Sequence, residues 1–141
     1  MPVVVIPRPQ LDEIIGHATA SPSEEICGIL GGRDGRVERV YRAQNAADPA
    51  QRRTRFTMDP RDIMEISDRI EDDGLDLIGF YHSHTHTQAY PSPTDVADWP
   101  ARWYPDALCF ICSLMDEERP HVRGFHIDES GAITEDTVSV E

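Results

Sequence analysis

The stretch from Tyr81 to Asp95 packs three histidines, His82, His84 and His86, with Ser92 and Asp95 into a segment otherwise made of turn formers. His82 and His84 lie two apart at the end of a nearly all-apolar run, Leu75 to Tyr81, that predicts a central strand. Strand alternation puts both imidazoles on one face, near enough to share an ion. Asp95 follows a loop able to fold back. Two imidazole nitrogens and one carboxylate oxygen suit Zn²⁺, one per chain, and three protein ligands leave the fourth position open, as catalytic sites do. Such an ion makes water available as a nucleophile near neutral pH. A base must then move the proton to the leaving group, and Glu24 and Glu25 both offer one. Ser92 is placed to donate a hydrogen bond to a developing oxyanion.

The same residues admit plainer readings. A His-x-His pair alone more often marks two satisfied side chains than a metal. Ser92-Pro93-Thr94-Asp95 also reads as a helix start, with Ser92 as N-cap and Asp95 as the acid of a capping box. His86 sits where an exposed loop side chain is expected, and His17, His121 and His126 fall in scaffold segments. A metallo-β-lactamase pattern wants an aspartate where this chain has His86, and a cupin wants a glutamate that does not occur before Asp95. A triad drawn from Ser83 or Ser92 lacks the G-x-S-x-G elbow.

The elements that must position these groups can be read from periodicity. Val3 to Ile6 predicts a strand. Leu11, Ile14, Ile15 and Ala18 give a helix stripe, stopped by Ser21-Pro22-Ser23. Ile26 to Leu30 and Val37 to Tyr41 predict a hairpin whose turn spans Gly31 to Gly35. Asn45 to Arg55 predicts a loop and Arg55 to Met58 a short strand. Asp59-Pro60 opens a helix with Ile63, Ile66 and Ile70 on its apolar side, ending near Asp73-Gly74. The helix after Ser92 is kept short by Pro100 and Pro105. Ala107 to Leu114, His121 to Ile127 and Ala132 to Val140 supply further strands. The fold class is α+β, a mixed, mainly antiparallel sheet flanked by helices, and 141 residues predict one domain over 1–141.

Composition narrows the function. The net charge of −13 argues against nucleic acid, whose phosphates would be repelled. No apolar run approaches the roughly 20 residues of a membrane span. The start, Met1-Pro2-Val3-Val4-Val5-Ile6, is too short and lacks the preceding positive charge of a secretory signal, so the expected location is cytoplasmic. All 13 basic residues are arginine. The one basic cluster, Arg52, Arg53 and Arg55, reads as a solvated loop or as a contact for an acidic group. Cys109 and Cys112 fall on one predicted strand, where positions three apart face opposite sides. With Cys27 they read as buried free thiols of a reducing compartment.

His82-Ser83-His84, seven residues, Ser92, two residues, Asp95 matches H-x-H-x7-S-x2-D, so the chain resembles the JAMM (MPN+) metalloproteases over nearly its whole length. Bacterial members often carry P-x-E-x-C-G-x-L-x-G; here Pro22 to Gly32 is similar but one residue longer after the proline, and Cys27-Gly28 makes Glu25 the matching acid. The resemblance implies a single MPN domain of cytidine-deaminase-like fold. It implies His82, His84 and Asp95 as zinc ligands, Glu25 as general base and then acid, and Ser92 as oxyanion donor. His82 to Thr85, Ala89 to Ser92, Thr94 to Val96 and the Asn45…Phe56 segment look most similar to bacterial peptidases acting on ubiquitin-like sulfur carriers. The implied activity is hydrolysis after a carrier's C-terminal Gly-Gly, releasing cysteine from a carrier–cysteine adduct in cysteine biosynthesis. The alternatives are a broader isopeptidase that frees modified lysines and a non-catalytic binding module.

Overall fold

The computed structural model describes residues 3–141; Met1 and Pro2 lie outside the described residues. Strand β4 (Asp76–His84) lies in the middle of the sheet order. On one side it pairs antiparallel with β2 (Cys27–Arg33), which pairs antiparallel with β3 (Arg36–Ala43). On the other it runs parallel to β5 (Leu108–Ser113), followed by the antiparallel strands β6 (His121–Ile127) and β7 (Ile133–Val140). Strand β1 (Val3–Ile6) runs parallel to both β3 and β7 and closes the sheet into a barrel. The α+β class and the mixed, mainly antiparallel pairing therefore hold. Closure by the first and last strands is an addition that no local pattern predicts.

Helices α1 (Arg8–Thr19) and α2 (Pro60–Asp72) cover opposite faces of the sheet. Leu11, Ile14 and Ala18 of α1 share a buried cluster with Tyr81, Phe110 and Cys112. Ile66 and Ile70 of α2 share another with Phe80, Ile29 and Tyr41. Successive β4 residues thus face different helices: Tyr81 turns to α1, Phe80 to α2. By the same alternation His82 and His84 lie on the Phe80 face. Cys109 and Cys112 fall in different clusters, and all three cysteines are free and buried.

Two local readings are corrected. Gly31 and Gly32 belong to β2 and carry a register shift against both neighbouring strands. The turn is only Asp34-Gly35, both at positive φ (53° and 72°), the geometry that a tight hairpin needs. Residues 55–58 are not a strand. Their backbone partners lie around Asn45, whose Nδ2 donates to the Arg55 carbonyl (2.9 Å) and whose Oδ1 accepts from Thr57 N–H (3.2 Å), while Ala46 N–H donates to the Thr57 carbonyl (2.8 Å). Asn45 therefore substitutes for a neighbouring strand, and the segment stands off the sheet as a wall.

Tight strand pairing leaves no room for a side chain at Gly28, where a Cβ would overlap the Tyr81 ring and the Tyr41 carbonyl. At Gly16, within α1, a Cβ meets nothing within 4 Å. Gly28→Ala is expected to lower stability by about 1–3 kcal/mol, and Gly16→Ala to raise it by roughly 0.5–1 kcal/mol, both read from urea unfolding midpoints.

Candidate metal centre

The end of β4 and the start of the next helix build the centre. His82 and His84 are 2% and 5% exposed. Helix α3 (Pro93–Asp98) begins on Ser92, whose Oγ accepts from Asp95 N–H (3.0 Å) while Asp95 Oδ2 accepts from Ser92 N–H (2.9 Å). This reciprocal capping box fixes where the Asp95 carboxylate points. Asp95 Oδ2 lies 3.1 Å from His82 Nε2 and 3.0 Å from His84 Nε2, and the two Nε2 atoms are 3.2 Å apart. The cap explanation and the ligand explanation of Ser92 and Asp95 are thus the same geometry.

The donor set fits a small divalent cation. Ligand distances of about 2.0–2.2 Å place tetrahedral donors about 3.3–3.6 Å apart, a slight expansion of the observed triangle. The tautomers point the same way. His84 Nδ1 lies 2.8 Å from the Gln88 carbonyl, which only accepts, so Nδ1 carries the proton and neutral His84 turns a lone pair toward Asp95 Oδ2. A proton relieves one such contact; one cation relieves all three. The ionisation equilibria record this tension. Burial holds His82 below the usual histidine range, although Asp95 opposes it. Burial also acts to lower His84, but its contacts with Asp95 and the Gln88 carbonyl carry it above that range. Asp95 would be raised by burial, yet His82 and His84, when they carry a proton toward it, and the bond from Ser92 N–H hold it well below the carboxylate range.

Glu25 reaches the centre through strand pairing. Cys27 is the register partner of His82. Just beyond, Ser83 N–H donates to the Ile26 carbonyl (3.0 Å) and Ile26 N–H to Ser83 Oγ (2.9 Å). The glutamate before Ile26 is thereby held beside the two histidines, 6% exposed. Burial raises its pKa to about 8, against the charge of His84 and with that of Asp95. Glu24 is exposed. A carboxyl with that pKa exchanges protons near neutral pH.

A groove of about 410 Å³ opens beside His82 and Asp95. Phe56 stacks on the His82 ring, with centroids 4.4 Å apart at 24°. Phe56 and Met58 line one wall, Trp99 and Pro100 another, and the Arg55–Asp98 ion pair (3.7 Å) stands at its rim. The three arginines separate. Arg52 Nε donates to the Ala47 carbonyl (2.9 Å), Arg55 lines the groove, and Arg53 is exposed without an ion-pair partner among the described residues. His86 is exposed, while His17 Nδ1 bonds the Tyr81 hydroxyl (2.8 Å) and His126 Nε2 the Pro105 carbonyl (2.8 Å), in scaffold roles. Sequence patterns did not reveal Gln88, which acts through its backbone, nor Ser83 as a clamp on β2. Phe56 had a signal, an aromatic in the segment shared with JAMM peptidases, but not its place on His82.

The fold and this centre place the chain among the JAB/MPN proteins, and it belongs to the family described as prokaryotic homologs of the JAB domain, whose model matches residues 7–132. The chain is 34% identical over 140 residues to the CysO-cysteine peptidase of Mycobacterium tuberculosis, covering 98% of this chain and 91% of that one. It is 37% identical over 110 residues to the desampylase of Haloferax volcanii, covering 72% and 74%. A solved structure from Desulfitobacterium hafniense superposes with a TM-score of 0.81 at 31% identity, covering 98% and 92%.

The raised Glu25 pKa carries a stability signature. Its folded value of about 8 exceeds the ordinary carboxyl value of 4.5, so between these the fold holds a proton that the unfolded chain has released. Stability from this group is full below about pH 4.5 and is lost as pH rises toward 8, by at most about 1.4 kcal/mol per unit. With chelator present, Glu25→Gln is expected to melt higher than wild type at pH 8 and alike at pH 4.5. Equal melting temperatures at both pH values would contradict a buried, raised carboxyl.

Proposed function

We propose that the chain is one catalytic domain of cytidine-deaminase-like fold, spanning 1–141, that hydrolyses the bond after the C-terminal Gly-Gly of a ubiquitin-like sulfur carrier. The observation that carries this reading is the convergence of His82, His84 and Asp95 within 3.2 Å of one another beside a buried glutamate. His82, His84 and Asp95 would hold one Zn²⁺, which supplies Lewis acidity for activating water near neutral pH. Glu25 takes the proton from the attacking water and passes it to the departing amine. A buried carboxyl beside His84 and Asp95 is positioned to accept a proton and give it back. Ser92 Oγ already accepts from Asp95 N–H, so its own hydroxyl proton stays free to donate to the charge growing on the carbonyl oxygen.

The groove supports the substrate class. Its apolar walls at Phe56, Met58 and Trp99 favour an extended, uncharged segment, and a diglycine tail is thin enough to lie between them where bulkier residues are excluded. The similarity to a CysO-cysteine peptidase over 98% of the chain favours a carrier–cysteine adduct, with release of free cysteine for its biosynthesis. The similarity to a desampylase favours a second reading, an isopeptidase that frees modified lysines. The acidic charge of −13 fits a protein partner better than nucleic acid. Among the described residues no helix is long and apolar enough to cross a membrane. Three buried free thiols fit a reducing, cytoplasmic setting.

Two outcomes check this reading. Zinc-loaded Glu25→Gln should retain its metal and lose at least roughly 10²-fold in turnover, the scale of a lost general base; full activity would remove Glu25 from the chemistry. Wild-type protein incubated with a Gly-Gly-cysteine carrier adduct and with a lysine-linked conjugate should release cysteine from the first, read by mass. Cleavage of the lysine conjugate alone would replace the first reading with the second.

A further inference from the structure

Asn45 is the only asparagine among the 141 residues, and it lies half-buried two residues past the end of β3. Its amide makes four hydrogen bonds. Nδ2 donates to the Glu25 carbonyl (3.0 Å) and to the Arg55 carbonyl (2.9 Å), while Oδ1 accepts from Ala47 N–H (3.0 Å) and Thr57 N–H (3.2 Å). The partners fix the orientation of the amide: carbonyls only accept and N–H groups only donate, so a flipped amide would lose all four bonds. The turn to Ala47 alone needs just an acceptor, which aspartate supplies as well. Elsewhere the chain makes this same turn with aspartate, from Asp48 to Ala50 N–H, Asp59 to Arg61 N–H, Asp116 to Glu118 N–H and Asp128 to Ser130 N–H. Position 45 differs in having a nitrogen, and that nitrogen is the atom that reaches Glu25.

The two carbonyls that share Nδ2 belong to different parts of the centre. Glu25 is the buried acid beside the histidines, and its main chain is held by the loop as well as by β4: its N–H donates to the Arg52 carbonyl (2.7 Å) and its carbonyl accepts from Asn45. Arg55 and Thr57 belong to the groove wall, Thr54 to Met58. That wall has no strand neighbour, and Phe56 within it lies on the His82 ring. One planar NH₂ group serves both carbonyls, so a shift of the Arg55 carbonyl turns the amide and moves the hydrogen that Glu25 receives. Anything that fills the groove touches this wall. A displacement of about 1 Å at a reacting group costs roughly 10²-fold in rate, so the position of the wall bears on turnover as well as on affinity.

We propose that Asn45 is a positioning residue that joins the groove wall to the general base, so that a peptide segment filling the groove sets Glu25 for proton transfer. The inference rests on the peptidase reading above and adds how the groove acts on the rate. A substrate that reaches the centre but leaves the groove empty meets the same metal ligands and the same acid, with the base less well placed. Binding energy from residues remote from the scissile bond then appears in kcat, because it is spent on orienting the reacting group. Asn45 touches neither substrate nor ligands in this arrangement and acts only through the Glu25 main chain. Discrimination between a bare diglycine end and a longer tail follows from turnover, not from affinity alone.

The test compares two peptides acetylated at the amino end, Gly-Gly-Cys and Val-Ala-Val-Gly-Gly-Cys, with kcat and KM measured separately by mass on zinc-loaded protein. Wild type should turn over the longer peptide with a kcat about tenfold or more above that of the shorter one. Asn45→Asp leaves Oδ1 to hold Ala47 and Thr57 N–H but removes both bonds to carbonyls. In this variant, at unchanged zinc content, the two kcat values should converge while the longer peptide keeps the lower KM. Asn45→Ala, which removes all four bonds, should do the same. A kcat ratio that survives both substitutions, with kcat lowered alike for the two peptides, makes Asn45 a support of the fold and overturns the assignment. Equal kcat for the two peptides in wild type overturns the coupling without recourse to any variant. Cleavage of neither peptide by zinc-loaded wild type overturns the peptidase reading, and this inference with it.

Discussion

The structure depends on one constraint: three lone-pair atoms, His82 Nε2, His84 Nε2 and Asp95 Oδ2, are held 3.0–3.2 Å apart in a nearly dry space. Such a grouping costs free energy unless positive charge lies among the donors. The fold invests several independent devices in keeping it. Strand alternation aims the histidines, the Gln88 carbonyl fixes the His84 tautomer, the Ser92 capping box orients Asp95, and Phe56 stacks on His82. A fold that over-determines an unfavourable cluster has a use for it, and charge neutralisation by a bound cation is the simplest.

The second half of the centre comes from far away in sequence. Ile26 and Ser83 exchange hydrogen bonds across 57 residues, and this antiparallel contact, with the bonds from Glu25 N–H to the Arg52 carbonyl and from Asn45 Nδ2 to the Glu25 carbonyl, places Glu25 beside the histidines. Because β2 and β4 are neighbours in the barrel, strand pairing sets most of the separation between Glu25 and the two histidines. The groove is different: its wall at residues 54–58 is held by the Asn45 side chain and the Ala46 N–H and not by a strand neighbour.

What was legible in the sequence follows from the range of the interactions involved. The capping box at Ser92 and Asp95, the Asp59 cap of α2, and the His82–His84 alternation are local, so spacing alone reveals them. The choice of Glu25 over Glu24 was not open to local reading and came from resemblance to a family; the register of Cys27 against His82 supplies its physical cause. Residues 55–58 misled because Phe56 and Met58 alternate like a strand while a side-chain amide, invisible to periodicity, takes the backbone bonds. Gly31 and Gly32 misled because a bulge and a turn use the same residue type. Barrel closure by β1 and β7 joins the two ends of the chain, which no window of sequence contains.

On this reading His82, His84 and Asp95 would hold one zinc per chain. Native mass spectrometry of protein stripped of metal and then titrated with zinc tests it most directly, with Asp95→Ala protein run beside it. A single added zinc at saturation, a rise in melting temperature on binding, and loss of both in the variant are expected. Metal-free spectra throughout the titration, or an added zinc that persists unchanged in Asp95→Ala, would contradict it.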